Sequence, residues 1–218
     1  MADEVRYFEY GEEETSYLSA RDPRMAEVIR AVGHVRREVR PDLFSALVHS
    51  IVGQQISTKA QETVWQRVAA LLGEVTPASV AACPDDVLQS TGLSFRKVGY
   101  IKGVAERALS GELDLEALRE LPDDEVCRQL SALPGIGVWT AEMLMTFSMQ
   151  RPDIMSYGDL AIQRGLRMVH HHRRITPALF AKYRRRYSPY GTVASLYLWA
   201  VAGGAVPGLR DWAPKRAR

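Results

Sequence analysis

The chain has 218 residues, of which 46% are hydrophobic and 25% are charged. This composition excludes an intrinsically disordered chain, and the length is sufficient to bury a core without disulfides or metals. With 28 Lys plus Arg against 26 Asp plus Glu, the formal net charge is only +2, which by itself argues against a strongly basic nucleic-acid binder.

The charges are distributed unevenly along the chain. Residues 160–218 contain 12 basic residues and one acid, Asp211, whereas residues 1–159 contain 16 basic and 25 acidic residues. The two parts therefore carry formal charges of +11 and −9. Such an asymmetry indicates a polyanion-binding face or a basic tail.

The cysteines and the N-terminus limit the cofactors and the compartment. Cys83 and Cys127 are the only cysteines, too few for an iron–sulfur cluster held by four thiolates. Their spacing favours free thiols in a reducing compartment, so we expect a cytoplasmic protein, nucleoid-associated if the source is bacterial. The acidic start Met1–Glu4 lacks the features of a signal peptide, and no apolar run of about 18 residues predicts a membrane span.

Apolar residues recur at helical spacing along most of the chain, with glycine or proline between the segments, which predicts a nearly all-α protein. Asp22-Pro23 is typical of an N-cap followed by proline in the first turn, and Gly33 ends this helix. We expect further helices from Pro41 through Ile51, from Ser57 to Leu72, after Pro77, after Pro84, from Phe95 to Leu109, from Pro122 to Leu130, after Gly137, and over 160–170, 177–186 and 190–202.

The N-terminal segment is less regular. Val5–Tyr10 alternates between apolar and polar residues as a short strand does. The acidic run Glu12–Glu14 is compatible with a solvated turn or with the start of a helix.

The most informative stretch is Leu133-Pro134-Gly135-Ile136-Gly137-Val138-Trp139-Thr140-Ala141-Glu142, which places two glycines between two predicted helices. Glycine permits positive φ and the close approach of another backbone. The N–H groups at the start of the second helix form an anion site, which the helix dipole strengthens. From the glycines alone, a DNA phosphate site and an ordinary corner between helices both stay open.

This stretch resembles the helix–hairpin–helix motif of the DNA glycosylase superfamily that includes endonuclease III. Asp159 follows Trp139 by 20 residues, which matches the spacing of the family's catalytic aspartate. Val52–Ser57 resembles the segment that enters the minor groove, and Gly92–Lys97 resembles a second DNA-facing loop. Trp139-Thr140-Ala141 and the region from Pro189-Tyr190 to Trp199 point to the AlkA-type 3-methyladenine DNA glycosylases. The resemblance covers residues 18–205.

The resemblance implies that Asp159 is the catalytic residue. Breaking an N-glycosidic bond produces an oxocarbenium-like sugar, which a fixed carboxylate stabilises while it positions or activates a water. The same residue is also a good N-cap for the helix predicted from Leu160, and the two roles are compatible.

Trp139 occupies the hairpin position at which bifunctional relatives place a catalytic lysine, and residues 138–149 contain no lysine. Without that amine no Schiff base with the sugar forms there, so no lyase step is expected. The indole suits stacking on a flipped, cationic base; a position in the core is the alternative.

Three other residues match positions that line the base pocket in relatives. Met143 stands where some relatives place a tyrosine. Tyr190 stands at the position of a pocket aromatic, or Tyr187 does if the match slips by three residues. These departures leave the reaction intact but leave the preferred base open.

Gln55 is the candidate plug for the vacated base stack, the alternative being a polar residue at a helix end. The other DNA contacts that the resemblance implies are Gln54, Ser57, Phe95, Arg96, Lys97, Pro134, Gly135, Ile136, Gly137 and Thr140. Lys59, Arg96 and Lys97 are either phosphate contacts or plain surface charge. No metal site built from side chains is expected, whereas the resemblance implies Na+ or K+ at the hairpin carbonyls 131–137.

Two further clusters lie in the basic third. The cluster Lys182–Arg186 contributes to phosphate attraction or is surface charge, since consecutive residues of a helix point in several directions. His170–His172 diverge by about 100° per residue on a helix. We therefore expect surface or helix-end histidines there, not a zinc site.

These observations predict an all-α, two-lobed glycosylase fold with its active site in the cleft between the lobes. Residues 43–151 would form a central bundle, and 1–42 with 152–218 the second lobe. The expected activity is that of a monofunctional DNA-3-methyladenine glycosylase of type II. It would flip and hydrolytically excise alkylated bases, such as 3-methyladenine and 7-methylguanine, from double-stranded DNA in base excision repair, as a monomer without a cofactor.

Two alternatives stay open. One is a glycosylase for oxidised or mismatched bases with lyase activity. The other is a non-catalytic helix–hairpin–helix DNA-binding protein.

Overall fold

The computed structural model describes residues 5–214, which divide between two compact units. The central unit is Arg40–Met149, and the terminal unit combines the described residues before Arg40 with those after Met149. The acidic start Met1–Glu4 and the basic tail Lys215–Arg218 lie outside the described residues. No helix in the described part of the chain is both long enough and apolar enough to cross a membrane.

Helices make up most of the described residues, which confirms the all-α prediction. In chain order the elements are β1 (Arg6–Tyr7), α1 (Glu12–Arg21), α2 (Pro23–Val32), β2 (Glu38–Val39), α3 (Leu43–Gly53), α4 (Thr58–Leu72), α5 (Pro77–Ala82), α6 (Asp85–Gln89), α7 (Phe95–Ser110), a 3₁₀ turn (Ala117–Glu120), α8 (Asp123–Ser131), α9 (Val138–Phe147), α10 (Leu160–His170), α11 (Pro177–Tyr187) and α12 (Gly191–Ala202).

The N-terminal segment differs in part from its prediction. Of the expected strand Val5–Tyr10, only Arg6–Tyr7 forms a strand. It pairs antiparallel with Glu38–Val39. The acidic run is the start of α1, and its three carboxylates lie in the first turn, where the helix dipole favours negative charge.

The terminal unit packs around α12, in which nine of twelve residues are buried. Its neighbour α10 approaches very closely, because a Cβ added to Gly165 would lie 2.4 Å from the carbonyl oxygen of Leu198. Only glycine allows this approach. The close packing fixes α10, whose first residue follows Asp159.

The central unit packs around α3. Leu43, Phe44, Leu47, Val48 and Ile51, which the sequence places on one apolar face, are all buried. Each such side chain stabilises the fold by about 1.5–3 kcal/mol relative to exposure. Helix α3 packs against α4, α7 and α9, so its C-terminal end, at Gly53, is held by the helices around it.

Candidate active site

Asp159 is the N-cap of α10, as its position before Leu160 predicts. Its Oδ1 accepts hydrogen bonds from the backbone N–H groups of Ala161 and Ile162, at 2.8 Å each. The residue is only 7% exposed. Two short hydrogen bonds and the positive end of the helix dipole therefore fix a nearly buried carboxylate in one orientation. The capping role is observed, and the catalytic role stays a prediction.

The predicted hairpin connects α8 to α9 in the central unit. The chain turns at Leu133–Ile136, where the Ile136 N–H donates to the Leu133 carbonyl at 3.0 Å. Gly135 has φ +86, and a Cβ there would lie 2.5 Å from Cδ2 of Tyr100. Gly135 is therefore needed both for its backbone conformation and for the close approach of an aromatic ring. No sequence pattern marked Tyr100, because it lies on α7.

Gly137 has neither the positive φ nor the close contact that were predicted for the two hairpin glycines. Its φ is −95, which any residue adopts, and a Cβ there would meet no atom within 4 Å. It is the N-cap of α9 and has no side chain to accept hydrogen bonds from the first turn. The space in front of this helix end is therefore suited to an anion such as a DNA phosphate.

The outer face of the hairpin is exposed, whereas its inner face belongs to the core. Pro134, Gly137 and Val138 are exposed, and Thr140 is half-buried. The side chain of Ile136 is buried, so this residue offers only its backbone to DNA. The hairpin thus presents mainly backbone groups around an apolar rim.

Trp139 lies in the first turn of α9 and is 49% exposed, which excludes the alternative of a core residue. Met143, one turn further along the helix, is half-buried. Val138, the residue before Trp139, is also exposed, so two consecutive large apolar side chains are exposed at the start of this helix, as at a candidate binding surface.

The segment between α3 and α4 carries the candidate plug. Gln55 is exposed and has φ +58, an uncommon conformation for a residue with a Cβ. Gln54 caps α3, and its Nε2 donates to the Gly135 carbonyl at 2.6 Å. Ser57 is the N-cap of α4, as predicted, and its Oγ accepts from the Ala60 N–H. Gln54 therefore ties this segment to the hairpin.

The first turn of α7 presents an exposed aromatic ring and two cations with different surroundings. Phe95 is 64% exposed. The exposed Arg96 donates to the Tyr100 hydroxyl at 2.6 Å. The Lys97 ammonium donates to the carbonyls of Val52 and Gln54 at 2.8 Å each. From the sequence, Lys97 was expected to contact a phosphate or to be plain surface charge. Its two bonds to backbone carbonyls were not among these expectations.

Tyr190 and Tyr187 are not equivalent candidates for the pocket. The Tyr190 hydroxyl donates to Oε1 of Glu13 at 2.6 Å, and its ring packs edge-on against Tyr17. The hydrogen bond to Glu13 raises the pKa of Tyr190 to about 12. Tyr187, in contrast, is 0% exposed, so its ring is unavailable to a base. The assignment of Tyr187 to substrate binding is wrong, because its side chain lies in the core of the terminal unit.

Tyr187 belongs to a buried polar network centred on Asp22. Its hydroxyl donates to Oδ2 of Asp22 at 2.9 Å, and Arg186 donates to the same oxygen at 2.7 Å. Burial lowers the pKa of His170 to about 4 despite the nearby Asp22, so its ring is neutral at pH 7. The Tyr187 hydroxyl has a single proton, which it donates to Asp22. The hydrogen of the second bond must therefore belong to Nε2 of His170, which donates it to the Tyr187 oxygen at 2.9 Å.

The structure refines two expectations for the basic third. His170 and His171 lie at the C-terminal end of α10, as expected. His170 is buried, not a surface histidine, whereas His171 is exposed and His172 is half-buried against the Tyr183 hydroxyl. Within residues 5–214 no three His, Cys, Asp or Glu side chains are grouped to bind a metal ion. In the cluster 182–186, Arg186 pairs with Asp22, and Arg184 lies 3.4 Å from Asp153. Only part of the cluster therefore faces solvent.

The chain matches the model of the HhH-GPD superfamily of base excision DNA repair proteins over residues 48–189. Because the match covers more than half of the chain, the protein belongs to this family. The hairpin and Asp159 both lie within the matched region.

Individual members of the family are similar over most of the chain. The DNA-3-methyladenine glycosylase 1 of Schizosaccharomyces pombe is 28% identical over 84% of this chain and 84% of its own length. The DNA-3-methyladenine glycosylase 2 of Escherichia coli is 27% identical, over 74% of this chain and 58% of its own length.

Among solved structures, a DNA-3-methyladenine glycosidase from Bacillus halodurans is 37% identical and superposes with a TM-score of 0.85, over 95% of this chain and 97% of that one. The S. pombe 3-methyladenine DNA glycosylase, solved in complex with abasic DNA, is 27% identical with a TM-score of 0.76, over 89% of this chain and 99% of that one.

Proposed function

We propose that the protein is a monofunctional DNA glycosylase that flips alkylated bases, such as 3-methyladenine and 7-methylguanine, out of double-stranded DNA and releases them by hydrolysis. The observation that carries this proposal is the nearly buried carboxylate of Asp159, oriented by two backbone N–H groups, in a chain of a base excision repair family. The names of the similar proteins from S. pombe and B. halodurans support the choice of alkylated bases.

The chemistry needs only one carboxylate. Departure of the base leaves positive charge on the sugar, and a fixed anion stabilises this charge in the transition state. Other glycoside hydrolases add a second carboxylic acid that protonates the leaving group. A base that already carries a positive charge through alkylation leaves with little such help, so Asp159 alone suits this class of substrate.

Trp139 supports two parts of the proposal: that the base is released without strand cleavage, and that the base carries a positive charge. No lysine occurs among residues 138–149, so α9 offers no amine for a Schiff base and no route to strand cleavage. The exposed indole stacks well on a flat base and attracts a cation through its π face. Tyr190 and Met143 are further candidates for the pocket.

The remaining residues are assigned to the grip on the duplex. The first-turn N–H groups of α9 hold a phosphate, and Gln55 fills the vacated stack. Phe95 and Arg96, in the first turn of α7, are assigned to the second DNA-facing segment. The hairpin carbonyls 131–137 are hard, neutral oxygen ligands of the kind that suits Na+ or K+. The Gly135 carbonyl already accepts a hydrogen bond from Gln54, so the other carbonyls are the stronger candidates. We propose that the protein acts as a monomer on damaged DNA.

Substitution of Asp159 by Asn tests the proposal. Asparagine caps a helix as well as aspartate does, so the fold is retained and only the charge is lost. We expect the single-turnover rate of 3-methyladenine release to fall at least about a hundredfold, with DNA affinity largely unchanged. Asp42 is the matched control, because it caps α3 in the same way; Asp42→Asn should keep the wild-type rate. A wild-type rate in Asp159→Asn would overturn the assignment.

A further inference from the structure

The C-terminal end of α3 is held by a side chain from a distant part of the chain. A helix end leaves carbonyl oxygens without partners in the helix, and it attracts positive charge. The last turn of α3 contains no basic residue. Instead, Nζ of Lys97, on α7, donates to the carbonyls of Val52 and Gln54 at 2.8 Å each. Two of the three N–H donors of this ammonium are therefore used inside the central unit.

The residue directly after these carbonyls is Gln55. Its φ of +58 is unfavourable for a residue with a Cβ, so its surroundings have to impose it. On its N-terminal side, the Gln54 carbonyl is held by Lys97 and the Gln54 side chain by the Gly135 carbonyl. On its C-terminal side, Ser57 begins α4. The conformation of Gln55 is thus fixed from both sides.

Helix α7 links this segment to the hairpin. Lys97 lies in its first turn, where the Lys97 N–H donates to the capping Ser94 at 3.3 Å. One turn later, Tyr100 packs against Gly135 so closely that a Cβ there would lie 2.5 Å from its ring. The same helix therefore contacts the Gln55 segment through Lys97 and the hairpin through Tyr100.

We propose that Lys97 is a positioning residue for base flipping: its ammonium binds the end of α3 and thereby holds Gln55 in the conformation that enters the duplex. This inference rests on the proposed glycosylase function. Partial burial of the ammonium lowers the pKa of Lys97. The role differs from a phosphate contact, since the charge is directed at the protein backbone.

Lys102 offers a matched control on the same helix. Its ammonium donates to the Ala81 carbonyl at 3.0 Å and to the Cys83 carbonyl, and so it caps α5 as Lys97 caps α3. Replacement of either lysine by Met removes one charge and one helix cap from the central unit. Only the change at Lys97 is expected to reach Gln55.

The test compares wild type, Lys97→Met and Lys102→Met in three measurements. Hydrogen exchange of the hydrogen-bonded amides in the last turn of α3, including the Gln54 amide that donates to the Ile51 carbonyl, is expected to accelerate at least tenfold in Lys97→Met and to stay at the wild-type rate in Lys102→Met. Single-turnover release of 3-methyladenine should fall at least tenfold in Lys97→Met and remain within twofold in Lys102→Met. The slope of log affinity for DNA against log salt should be the same in all three proteins.

Two results would overturn the inference. If Lys97→Met flattens the salt slope by about 0.9, the loss expected for one phosphate contact, while the exchange of the last turn of α3 is unchanged, Lys97 binds DNA directly. If base release is unchanged in Lys97→Met, the lysine does not position the plug. Absence of base release from the wild-type protein would instead refute the proposed function, and the exchange measurement would still decide whether Lys97 holds the end of α3 that precedes Gln55.

Discussion

At the scale of single residues, Tyr187 and Tyr190 show that the surroundings of a side chain decide whether it is available to a base. They lie three positions apart, and either can be matched to the same pocket position from the sequence. Tyr187 is fully buried in the Asp22 network, where burial and the nearby carboxylate raise the pKa of its hydroxyl well above 10. Tyr190 is partly exposed and binds Glu13. Only Tyr190 remains a candidate for contact with a base.

Replacement of Tyr187 by Phe separates the core role from a pocket role. The change removes one donor from the buried carboxylate of Asp22 and one acceptor from His170. We expect the free energy of unfolding to fall by about 1–3 kcal/mol, measured by chemical denaturation, while base release per folded molecule is unchanged. Tyr190→Phe, which loses a hydrogen bond at the surface, should destabilise less. A Tyr187→Phe protein with full stability and impaired base release would return Tyr187 to the pocket.

At the scale of elements, the helices follow from local signals in the sequence. Asp22, Ser57 and Asp159 all cap the helices that were predicted to begin after them. A capping side chain binds N–H groups two or three residues away, so a short stretch of sequence contains both partners. Gly33, Gly73 and Gly111 end helices for a similarly local reason.

The features that the sequence did not predict depend on contacts between residues far apart in the chain. Lys97 and Lys102 bind carbonyls at the ends of helices far away in sequence, and no spacing rule connects a lysine to such a partner. The pairing of Arg6–Tyr7 with Glu38–Val39 likewise joins distant segments. The sequence predicted the hairpin itself, but the roles of Gly137, Tyr100 and Lys97 required their neighbours in three dimensions.

The two hairpin glycines give a prediction at this scale. In Gly135→Ala, the new methyl group would overlap the ring of Tyr100 at a positive φ, so the free energy of unfolding should fall by about 2 kcal/mol or more. In Gly137→Ala the methyl group meets no protein atom within 4 Å, so stability should fall by no more than about 1 kcal/mol, because alanine is a poorer N-cap than glycine. The methyl group would reach open space beside the N-terminus of α9, where we expect it to hinder a phosphate and weaken DNA binding.

Denaturation curves and binding titrations on the same two proteins check this prediction. A Gly137→Ala protein that binds DNA with wild-type affinity would show that no phosphate approaches this helix end. A Gly135→Ala protein of wild-type stability would contradict the close packing of Tyr100.

At the scale of the whole molecule, the positive charge of residues 160–218 does not all lie on one exposed basic face. Among the cations of residues 160–218, Arg167 forms two hydrogen bonds with Asp211, and Arg186 binds the buried Asp22. These arginines stabilise the terminal unit. The exposed members Arg173, Arg174, Lys182 and Arg185 remain available to attract a polyanion. Much of the proposed phosphate grip comes from backbone amides of the hairpin, which a count of charged side chains does not include.

The central claim is the release of alkylated bases, and one assay tests it most directly. The wild-type protein would be incubated with duplexes that carry methylated, ethenylated, deaminated or oxidised bases. The products would be resolved on denaturing gels with and without alkali. We predict release of 3-methyladenine and 7-methylguanine, with strand breaks only after alkali. Nicking without alkali would contradict a monofunctional enzyme, and tight DNA binding without release of any base would indicate a non-catalytic DNA-binding protein.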